Sequence, residues 1–258
     1  QKYIDNVENA NLLVCDTPRI SRYYRAKGHK TIYCSLIDTF DSQVFDERKI
    51  SNNSSDVLKI LYTGNLSHFN ANIQSFINTL SVSKAITKRK IIINCLCGKE
   101  NFKLKFKYNK KITVNFIKYS VSNLNRLLAT ADFGWVPNRY QLSSLFNNHL
   151  LKVLFTTTTQ YFDLIFSEKF SANAGRCILF SQYGIPFITN PNEETTSLFY
   201  ELSEHLFYES KDELKFLFDN YTSSEYRRNV SIDLQDKFNF LSFTKEQTNK
   251  LYNAIESC

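Results

Sequence analysis

The segment KFSANAGRCILFSQYGIPFITN, residues 169–190, contains the pattern that decides the fold. Its first part, residues 171–176, is polar and small in side chains, and an apolar run typical of a buried helix follows. Tyr183-Gly184 predicts a turn, and a short strand is predicted to begin at Pro186. A helix, a tight turn and an apolar strand in succession indicate the α/β class.

The same alternation extends on the N-terminal side of this segment. Near-continuous apolar runs predict strands at LKILYTG (58–64), KIIINCLCG (90–98), ITVNFI (112–117) and DFGWVP (132–137). Between them, helical periodicity predicts one helix with Ile73 on its apolar stripe and another that is capped by Ser122. Apolar strands that alternate with helices predict a parallel sheet covered by helices on both faces.

The flanking regions give further predictions. Near the start, we expect a strand at residues 11–17, a helix from Pro18 to Gly28 and a strand at 31–37. Toward the end, we expect a short strand at 205–210 and helices at 212–221 and within 223–256. Cys95 and Cys97, two apart in a strand, should point to one face. Residues 102–111 alternate apolar side chains with lysine, which fits a solvated face or a membrane or acceptor patch. Residues 139–167 predict a helical hairpin, either part of the core or a lid.

Composition narrows the classes of protein that the chain can belong to. It has 258 residues, 43% of them hydrophobic, and a formal net charge of +7. The charge is spread along the sequence, which fits a basic surface in solvent or attraction to phosphate-bearing ligands or an anionic membrane. Six cysteines without a CxxC pair and four scattered histidines argue against structural zinc and predict free thiols in a reducing cytoplasm. Without methionine and with Gln1 first, the sequence is expected to be a piece of a longer protein.

The helix that begins in the 169–190 segment is the first candidate for chemistry. Ligands of open parallel sheets bind at the carboxyl edge of the strands, and a helix N-terminus there presents N–H groups and partial positive charge to a phosphate. Small side chains would let the ligand approach the backbone, and cations would hold it. The residues so predicted are Lys169, Ser171, Asn173, Gly175 and Arg176. The alternative is a capped helix with ordinary surface cations.

A second candidate is the loop GNLSHFNAN, residues 64–72, after the first strand of the series. Glycine allows a tight turn there, and the polar side chains could hydrogen-bond a phosphate or a sugar. The candidate residues are Gly64, Asn65, Ser67 and His68. The pattern matches neither GxGxxG nor a P-loop, and His68 is equally typical of a surface.

The third candidate is VPNRY, residues 136–140, which brings Asn138 and Arg139 to the same edge. Arg139 is expected to pair with a diphosphate or, alternatively, to bond backbone carbonyls. The few carboxylates near this edge, Glu168, Glu193 and Glu194, form no acidic cluster, so no metal site is expected.

The predicted strands and helices, taken in sequence order, resemble the C-terminal lobe of two-lobed GT-B glycosyltransferases. The resemblance is carried by LKILYTGNLS, IIINCLCG, ITVNFIKYSVSNLNRLLATADFGWVPN and KFSANAGRCILFSQYGIPFITN. Residues 10–45 are similar to the crossover between the lobes of that family. The resemblance implies a Rossmann-like lobe at residues 57–258 that binds a nucleotide-sugar, preceded at residues 1–50 by the end of the acceptor lobe.

The resemblance also implies roles for individual residues. In the family, the loop before the penultimate helix holds the diphosphate and ribose, which implies donor contacts within residues 169–176, and the loop after the first strand implies contacts for Gly64, Asn65 and Ser67. The base is implied near Ile117. We expect Arg176, Lys169 and Arg139 to act in catalysis by stabilising the leaving diphosphate.

The expected function is that of a hexosyltransferase, present as an incomplete fragment, in surface polysaccharide synthesis. It would move a sugar from a nucleotide-diphosphate donor to a glycan or lipid-linked acceptor, without a further cofactor and without a nucleic-acid partner. We expect it in the cytoplasm, with peripheral contact to the inner membrane face. Many retaining members carry an Arg and Lys after the first strand and an EX7E pattern; neither occurs here. The alternative is therefore a noncatalytic GT-B-like interaction domain of a larger protein.

Overall fold

The computed structural model describes residues 7–34, 56–98, 108–139, 174–237 and 240–257, together with Leu104 and Phe106. The predicted hairpin at 139–167, apart from Arg139, lies outside these residues, as do Phe102, Lys103, Lys105 and Lys107 of the alternation at 102–111. Leu104 and Phe106 pack against the core of the molecule.

The N-terminal part forms a small unit of two parallel strands, β1 (Leu13–Cys15) and β2 (Thr31–Tyr33), joined by α1 (Pro18–Ala26). The Thr17 hydroxyl caps α1 by accepting the Ile20 N–H at 3.1 Å. Gly28 follows the end of α1 and has a φ of +89°, a conformation that favours glycine. The helix predicted from Pro18 to Gly28 is confirmed.

The main sheet has five parallel strands in the order β5-β4-β3-β6-β7. They are β3 (Val57–Thr63), β4 (Lys90–Cys97), β5 (Ile112–Lys118), β6 (Phe133–Val136) and β7 (Phe187–Thr189). β3 lies at the centre, so the chain adds strands first on one side of it and then on the other. The loops after β3 and β6 therefore diverge at the carboxyl edge, which opens a crevice of the kind that binds ligands in such sheets.

Helices cover both faces of this sheet. They are α2 (Leu66–Ser81), α3 (Lys84–Lys88), α4 (Val121–Thr130), α5 (Gly175–Gln182), α6 (Glu193–Phe199), α7 (Ser203–Leu206), α8 (Lys211–Tyr221), α9 (Ser224–Lys237) and α10 (Phe240–Glu256), with a 3-10 turn at Tyr200–Leu202. On one face α2, α3 and α8 enclose a core in which Trp135 stacks on Phe76, 3.8 Å between ring centroids. On the other, α4, α5 and α9 enclose a core that contains Phe180. The predicted parallel α/β sheet with helices on both faces is confirmed.

The burial of each strand agrees with its place in the sheet. β6 is buried at every position, as expected for a strand covered on both faces. β5 alternates in exposure, as expected for an edge strand. Cys95 and Cys97, predicted on one face of β4, both lie in the core that contains Trp135. Burial raises the pKa of the Cys95 thiol, which stays protonated.

The loop predicted at residues 64–72 is wrong beyond Asn65, because α2 begins at Leu66. The Phe69 ring packs against Tyr62, with 5.0 Å between centroids, and joins the core. The apolar stripe of the helix therefore starts one turn before Ile73. The asparagines between Phe69 and Ile73 conceal this continuation in the sequence.

Two other predicted boundaries are also wrong. α4 is capped by Ser120, whose hydroxyl accepts a backbone N–H at 3.1 Å, whereas Ser122 lies within the helix. The strand predicted at 205–210 reduces to an isolated bridge between Thr189 and Phe207, because α7 occupies its first part. Among the described residues, no helix combines the length and the apolar composition needed to cross a bilayer.

Candidate functional site

The first turn of α5 lies beside the carboxyl end of β3. The Arg176 guanidinium donates to the Thr63 carbonyl oxygen at 3.2 Å and lies over the Tyr62 ring, 5.9 Å from its centroid. Arg176 is half-buried. A cation from the 169–190 segment is therefore held at the edge where the crevice opens.

Gly64 makes this close approach possible. Its φ is +145°, and a Cβ at this position would lie 3.1 Å from Arg176 Nη1 and 3.1 Å from the Tyr62 hydroxyl oxygen. The Tyr62 hydroxyl fixes the turn by donating to the Asn65 carbonyl oxygen at 2.7 Å. Burial raises the pKa of Tyr62 to about 12, so that the phenol remains a donor.

A buried carboxylate occupies one amide at the N-terminus of α5. Glu194 Oε2 accepts the Ala174 N–H at 2.7 Å, and Oε1 accepts the hydroxyl of Tyr33 from β2. Glu194 is only 4% exposed, and the partial positive charge of the helix terminus stabilises its charge. The helix end that was predicted to hold a phosphate therefore already holds one internal anion.

The next three amides of α5 belong to its first turn, where N–H groups have no acceptor within the helix. The N–H groups of Gly175, Arg176 and Cys177 donate to no acceptor among the residues that the structure describes. Gly175 and Arg176 are partly exposed, and N–H groups in the first turn of a helix are suited to an anionic ligand. Cys177 is buried, which raises the pKa of its thiol to about 12 and excludes it as a thiolate nucleophile.

Asn138 and Arg139 follow β6 at the same edge but have different surroundings. Asn138 is 3% exposed, and its Nδ2 donates to Thr189 Oγ1 at 3.0 Å and to the Asn190 carbonyl oxygen at 3.1 Å. Arg139 Nη1 lies 3.6 Å from Glu209 Oε2, and both side chains are partly exposed. Arg139 therefore shares its charge with a carboxylate, a partner that was not predicted.

The remaining predicted site residues are dispersed. Ser67 lies in the first turn of α2, and His68 in the same turn is buried, which removes the alternative of a surface histidine. Ile117 lies in β5, two strands away from β3. Lys169, Ser171 and Asn173 lie outside the described residues. The described part of the predicted phosphate cradle thus consists of Arg176, Gly175 and the turn at Gly64.

Sequence reasoning missed four contributors to this edge: Tyr33, Tyr62, Thr63 and the interior position of Glu194. Thr63 acts through its backbone carbonyl, which leaves no signal in the sequence. Tyr62 belongs to a strand whose apolar pattern is explained by burial alone. Only Glu194, one of the few carboxylates near the edge, could have been suspected.

Comparison with solved structures found proteins of similar fold. A mutant of TarM from S. aureus, in complex with Fondaparinux, alpha-GlcNAc-glycerol and UDP, is 12% identical and matches 98% of this chain and 45% of its own, with a TM-score of 0.59. Sucrose-phosphate synthase from Thermosynechococcus elongatus is 14% identical over 97% of this chain and 60% of its own, with a TM-score of 0.53. The chain has a GT-B fold.

The pneumococcal O-GlcNAc transferase GtfA, in complex with UDP and GlcNAc, is a further GT-B relative, 12% identical, with a TM-score of 0.50. It is matched over 100% of this chain and 48% of its own. The chain spans about half the length of these GT-B proteins. No family model and no curated protein matches the sequence. The GT-B resemblance predicted from the sequence is confirmed as a fold.

Proposed function

We propose that the chain is the donor lobe of a glycosyltransferase, residues 57–258, together with the end of its acceptor lobe, residues 1–50. One observation carries the proposal: the Arg176 guanidinium and the open amides of Gly175 and Arg176 meet beside the left-handed turn at Gly64. A fixed cation and unpaired N–H groups at a helix N-terminus are suited to a diphosphate. In a GT-B fold this position borders the crevice of the parallel sheet.

The proposed catalysis is stabilisation of the leaving group. The acceptor oxygen bonds to the anomeric carbon and its proton passes to a base that the proposal places in the acceptor lobe. The bond from that carbon to the phosphate oxygen breaks, and negative charge develops on the diphosphate. Arg176 is already oriented by the Thr63 carbonyl and the Tyr62 ring, so it can neutralise this charge with little rearrangement. Lys169 and Arg139 are proposed to add to the positive field, and no metal or cofactor is part of the proposal.

The substrates belong to the same proposal. The TarM and GtfA relatives are complexes with UDP and with a GlcNAc compound, which supports a nucleotide-sugar donor for this chain. A glycan or lipid-linked acceptor, in surface polysaccharide synthesis in the cytoplasm, is proposed on the resemblance.

Peripheral contact with the inner membrane face is proposed for a different surface. Five exposed lysines lie at the amino edge of the sheet: Lys84, Lys88, Lys90, Lys110 and Lys111. The last two adjoin the others, since the Ile91 N–H bonds the Lys111 carbonyl oxygen at 2.9 Å and Lys111 Nζ bonds the Thr87 carbonyl oxygen at 3.3 Å. Within the described ranges none of the five forms an ion pair with a carboxylate. An unpaired cationic surface of this size attracts anionic lipid.

Isothermal calorimetry with UDP-, GDP-, TDP- and CMP-sugars tests the donor site. We expect the chain to bind one of them, and Arg176→Gln to weaken binding by about 10- to 100-fold, because a charge-assisted contact to phosphate is lost. Arg126→Gln, on the exposed face of α4, is the matched control and should leave the dissociation constant unchanged. Absence of binding by the wild-type chain would favour the noncatalytic interaction domain.

A further inference from the structure

We propose that Asn138 recognises a hydroxyl group of the donor sugar through its side-chain oxygen. The inference rests on the proposed function and deepens it. Asn138 Oδ1 is buried at the carboxyl edge and has no hydrogen-bond partner among the residues that the structure describes. Buried polar atoms in folded proteins nearly always have a partner, so an acceptor left open beside a crevice indicates a donor that arrives with the ligand.

The orientation of the amide is fixed by its nitrogen. Nδ2 donates to the Asn190 carbonyl oxygen at 3.1 Å, an atom that can only accept. It also donates to Thr189 Oγ1 at 3.0 Å, while that hydroxyl in turn donates to the Val136 carbonyl oxygen at 2.8 Å. Rotation of the amide by half a turn would set Oδ1 against both acceptors. Both amide protons are therefore used within the chain, whereas the oxygen receives no hydrogen bond from the described ranges.

The chemistry of this oxygen separates Asn138 from the phosphate site. An amide oxygen only accepts, and phosphate oxygens also accept, so a diphosphate cannot satisfy it. A hydroxyl or an N–H can. Asn138 was predicted from the sequence as one donor-binding residue among several, and its surroundings assign it to the neutral, hydroxyl-bearing part of the donor.

The topology indicates that this part is the sugar. Arg176 lies at the end of the central strand β3, and Asn138 follows β6 on one side of it. Ile117, where the resemblance implies the base, lies in β5 on the other side. A donor with its diphosphate at Arg176 and its base toward β5 extends its sugar toward β6 and β7. The Thr189 side chain, which contacts Asn138, also lies beside Cys177 in the first turn of α5, so Asn138 adjoins the proposed phosphate site.

A second open atom lies at the same edge. Asn192 caps α6 through its Oδ1, which accepts the Thr195 N–H at 2.9 Å, while its Nδ2 is buried and has no partner in the described part of the chain. The ends of β6 and β7 thus carry one open acceptor and one open donor. A sugar hydroxyl can satisfy either, because it both donates and accepts.

The test compares two ligands on two variants by calorimetry. The ligands are the nucleotide-sugar that the wild-type chain binds best and the matching nucleotide without sugar. We expect Asn138→Ala to weaken binding of the nucleotide-sugar by roughly five- to tenfold more than binding of the nucleotide. Any general damage to the edge would weaken both ligands equally. Thermal unfolding followed by circular dichroism verifies that each variant is folded.

Asn190→Ala is the matched control. Asn190 belongs to the same network, but its Oδ1 accepts the Asn138 N–H at 3.3 Å and its Nδ2 donates to the Tyr208 carbonyl oxygen at 2.9 Å, so neither side-chain atom is open. It should change the affinities for nucleotide and nucleotide-sugar by the same factor.

Donor analogues that each lack a single hydroxyl identify the group that Asn138 contacts. For the wild-type chain, one of these analogues should bind more weakly than the full donor. For Asn138→Ala, the same analogue and the full donor should bind with equal affinity. Equal effects of Asn138→Ala on both ligands would overturn the inference and leave the donor site intact. If no nucleotide or nucleotide-sugar binds the wild-type chain, the proposed function fails and the inference fails with it.

Discussion

Gly134 in β6 lies directly under the Phe180 ring of α5. A Cβ at this position would lie 2.4 Å from Phe180 Cε2, a distance that no relaxed structure allows. The aromatic ring is held in the core and cannot turn aside easily. The absence of a side chain at one position therefore lets α5 pack close to the sheet, and it is α5 that brings Arg176 to the edge.

Gly134→Ala is expected to lower the free energy of unfolding by about 1–3 kcal/mol, because the ring or the helix must shift. Urea unfolding followed by tryptophan fluorescence measures the change. Gly98→Ala is the matched control: Gly98 follows β4 of the same sheet, nothing lies within 4 Å of the added Cβ, and the effect should stay within about 0.5 kcal/mol. Similar losses for the two variants would show that the Phe180 contact does not decide the packing.

At the scale of the element, α8 shows how a local pattern fixes a helix end. The Ser210 hydroxyl accepts the Glu213 N–H at 3.2 Å, and Glu213 Oε2 accepts the N–H groups of Glu209 at 2.6 Å and Ser210 at 3.1 Å. These bonds, led by the one from Glu209, hold the pKa of the Glu213 carboxyl below its usual range. The helix is thus stabilised by a capping box that is fully formed only when Glu213 is ionised.

This capping box predicts a dependence of stability on pH. Because the pKa of Glu213 is lower in the folded than in the unfolded chain, its contribution is complete above about pH 4.3 and is lost as the pH falls through the folded value. At neutral pH, Glu213→Gln should cost about 0.5–1 kcal/mol in urea unfolding, and the difference from wild type should shrink toward pH 3. Glu225→Gln, in the first turn of α9, is the control. A difference that grows on acidification would contradict this role of Glu213.

The sequence predicts an element well when its residue pattern has a single physical cause. The apolar runs of β3, β4 and β6 arise from burial on both faces, and Pro18 and Gly28 mark helix ends by their own backbone chemistry. The start of α2 could not be predicted, since it depends on the contact of Phe69 with Tyr62 across the core.

The candidate site follows the same division. Arg176 and Gly64 were predicted because a cation and a glycine are recognisable as residue types. Their mutual contact depends on the tertiary structure, and so do the interior position of Glu194 and the open oxygen of Asn138. The sequence therefore identifies the edge, and only the fold identifies which polar atoms on it are already occupied.

At the scale of the molecule, two adjacent glutamates join the N-terminal unit to the main sheet. Arg22 of α1 forms a bidentate pair with Glu193, at 2.6 and 2.5 Å, and both side chains are more than half exposed. Glu194, one residue later, is buried between the Tyr33 hydroxyl of β2 and the Ala174 N–H of the α5 terminus. Both glutamates thus bond the N-terminal unit, Glu193 at the surface and Glu194 in the interior.

Glu194→Ala is expected to lower the free energy of unfolding by about 2–4 kcal/mol, because it removes the acceptor of the buried Ala174 N–H, breaks the bond to the Tyr33 hydroxyl and opens a cavity. Glu193→Ala should cost at most about 1 kcal/mol, since an exposed ion pair contributes little. Both substitutions remove a carboxylate from the first turn of α6, so their difference in urea unfolding reports burial alone. Equal costs would mean that the Glu194 bonds do not hold the unit in place.

The amino edge of the sheet gives the molecule two chemically different ends. The carboxyl edge carries the crevice with Arg176, while the opposite edge carries the five lysines, which form no ion pair with any described carboxylate. A chain that rests on anionic lipid through these lysines would keep its crevice turned away from the surface to which it is bound. The contact is electrostatic, so it should respond to charge reversal and to salt.

Lys88→Glu combined with Lys110→Glu should lower partitioning onto vesicles by about 30-fold or more, because each lysine near such a surface contributes about 1 kcal/mol. Co-sedimentation with phosphatidylcholine vesicles that contain about one-third phosphatidylglycerol measures the partition coefficient; pure phosphatidylcholine vesicles should bind little of either chain. Lys211→Glu with Lys245→Glu changes the net charge equally on other exposed elements and should have a much smaller effect. Raising salt from about 0.1 M to about 0.5 M should release the wild-type chain, since screening shortens the range of the attraction. Equal losses for the two double variants would show that net charge, and not the lysine edge, drives the binding.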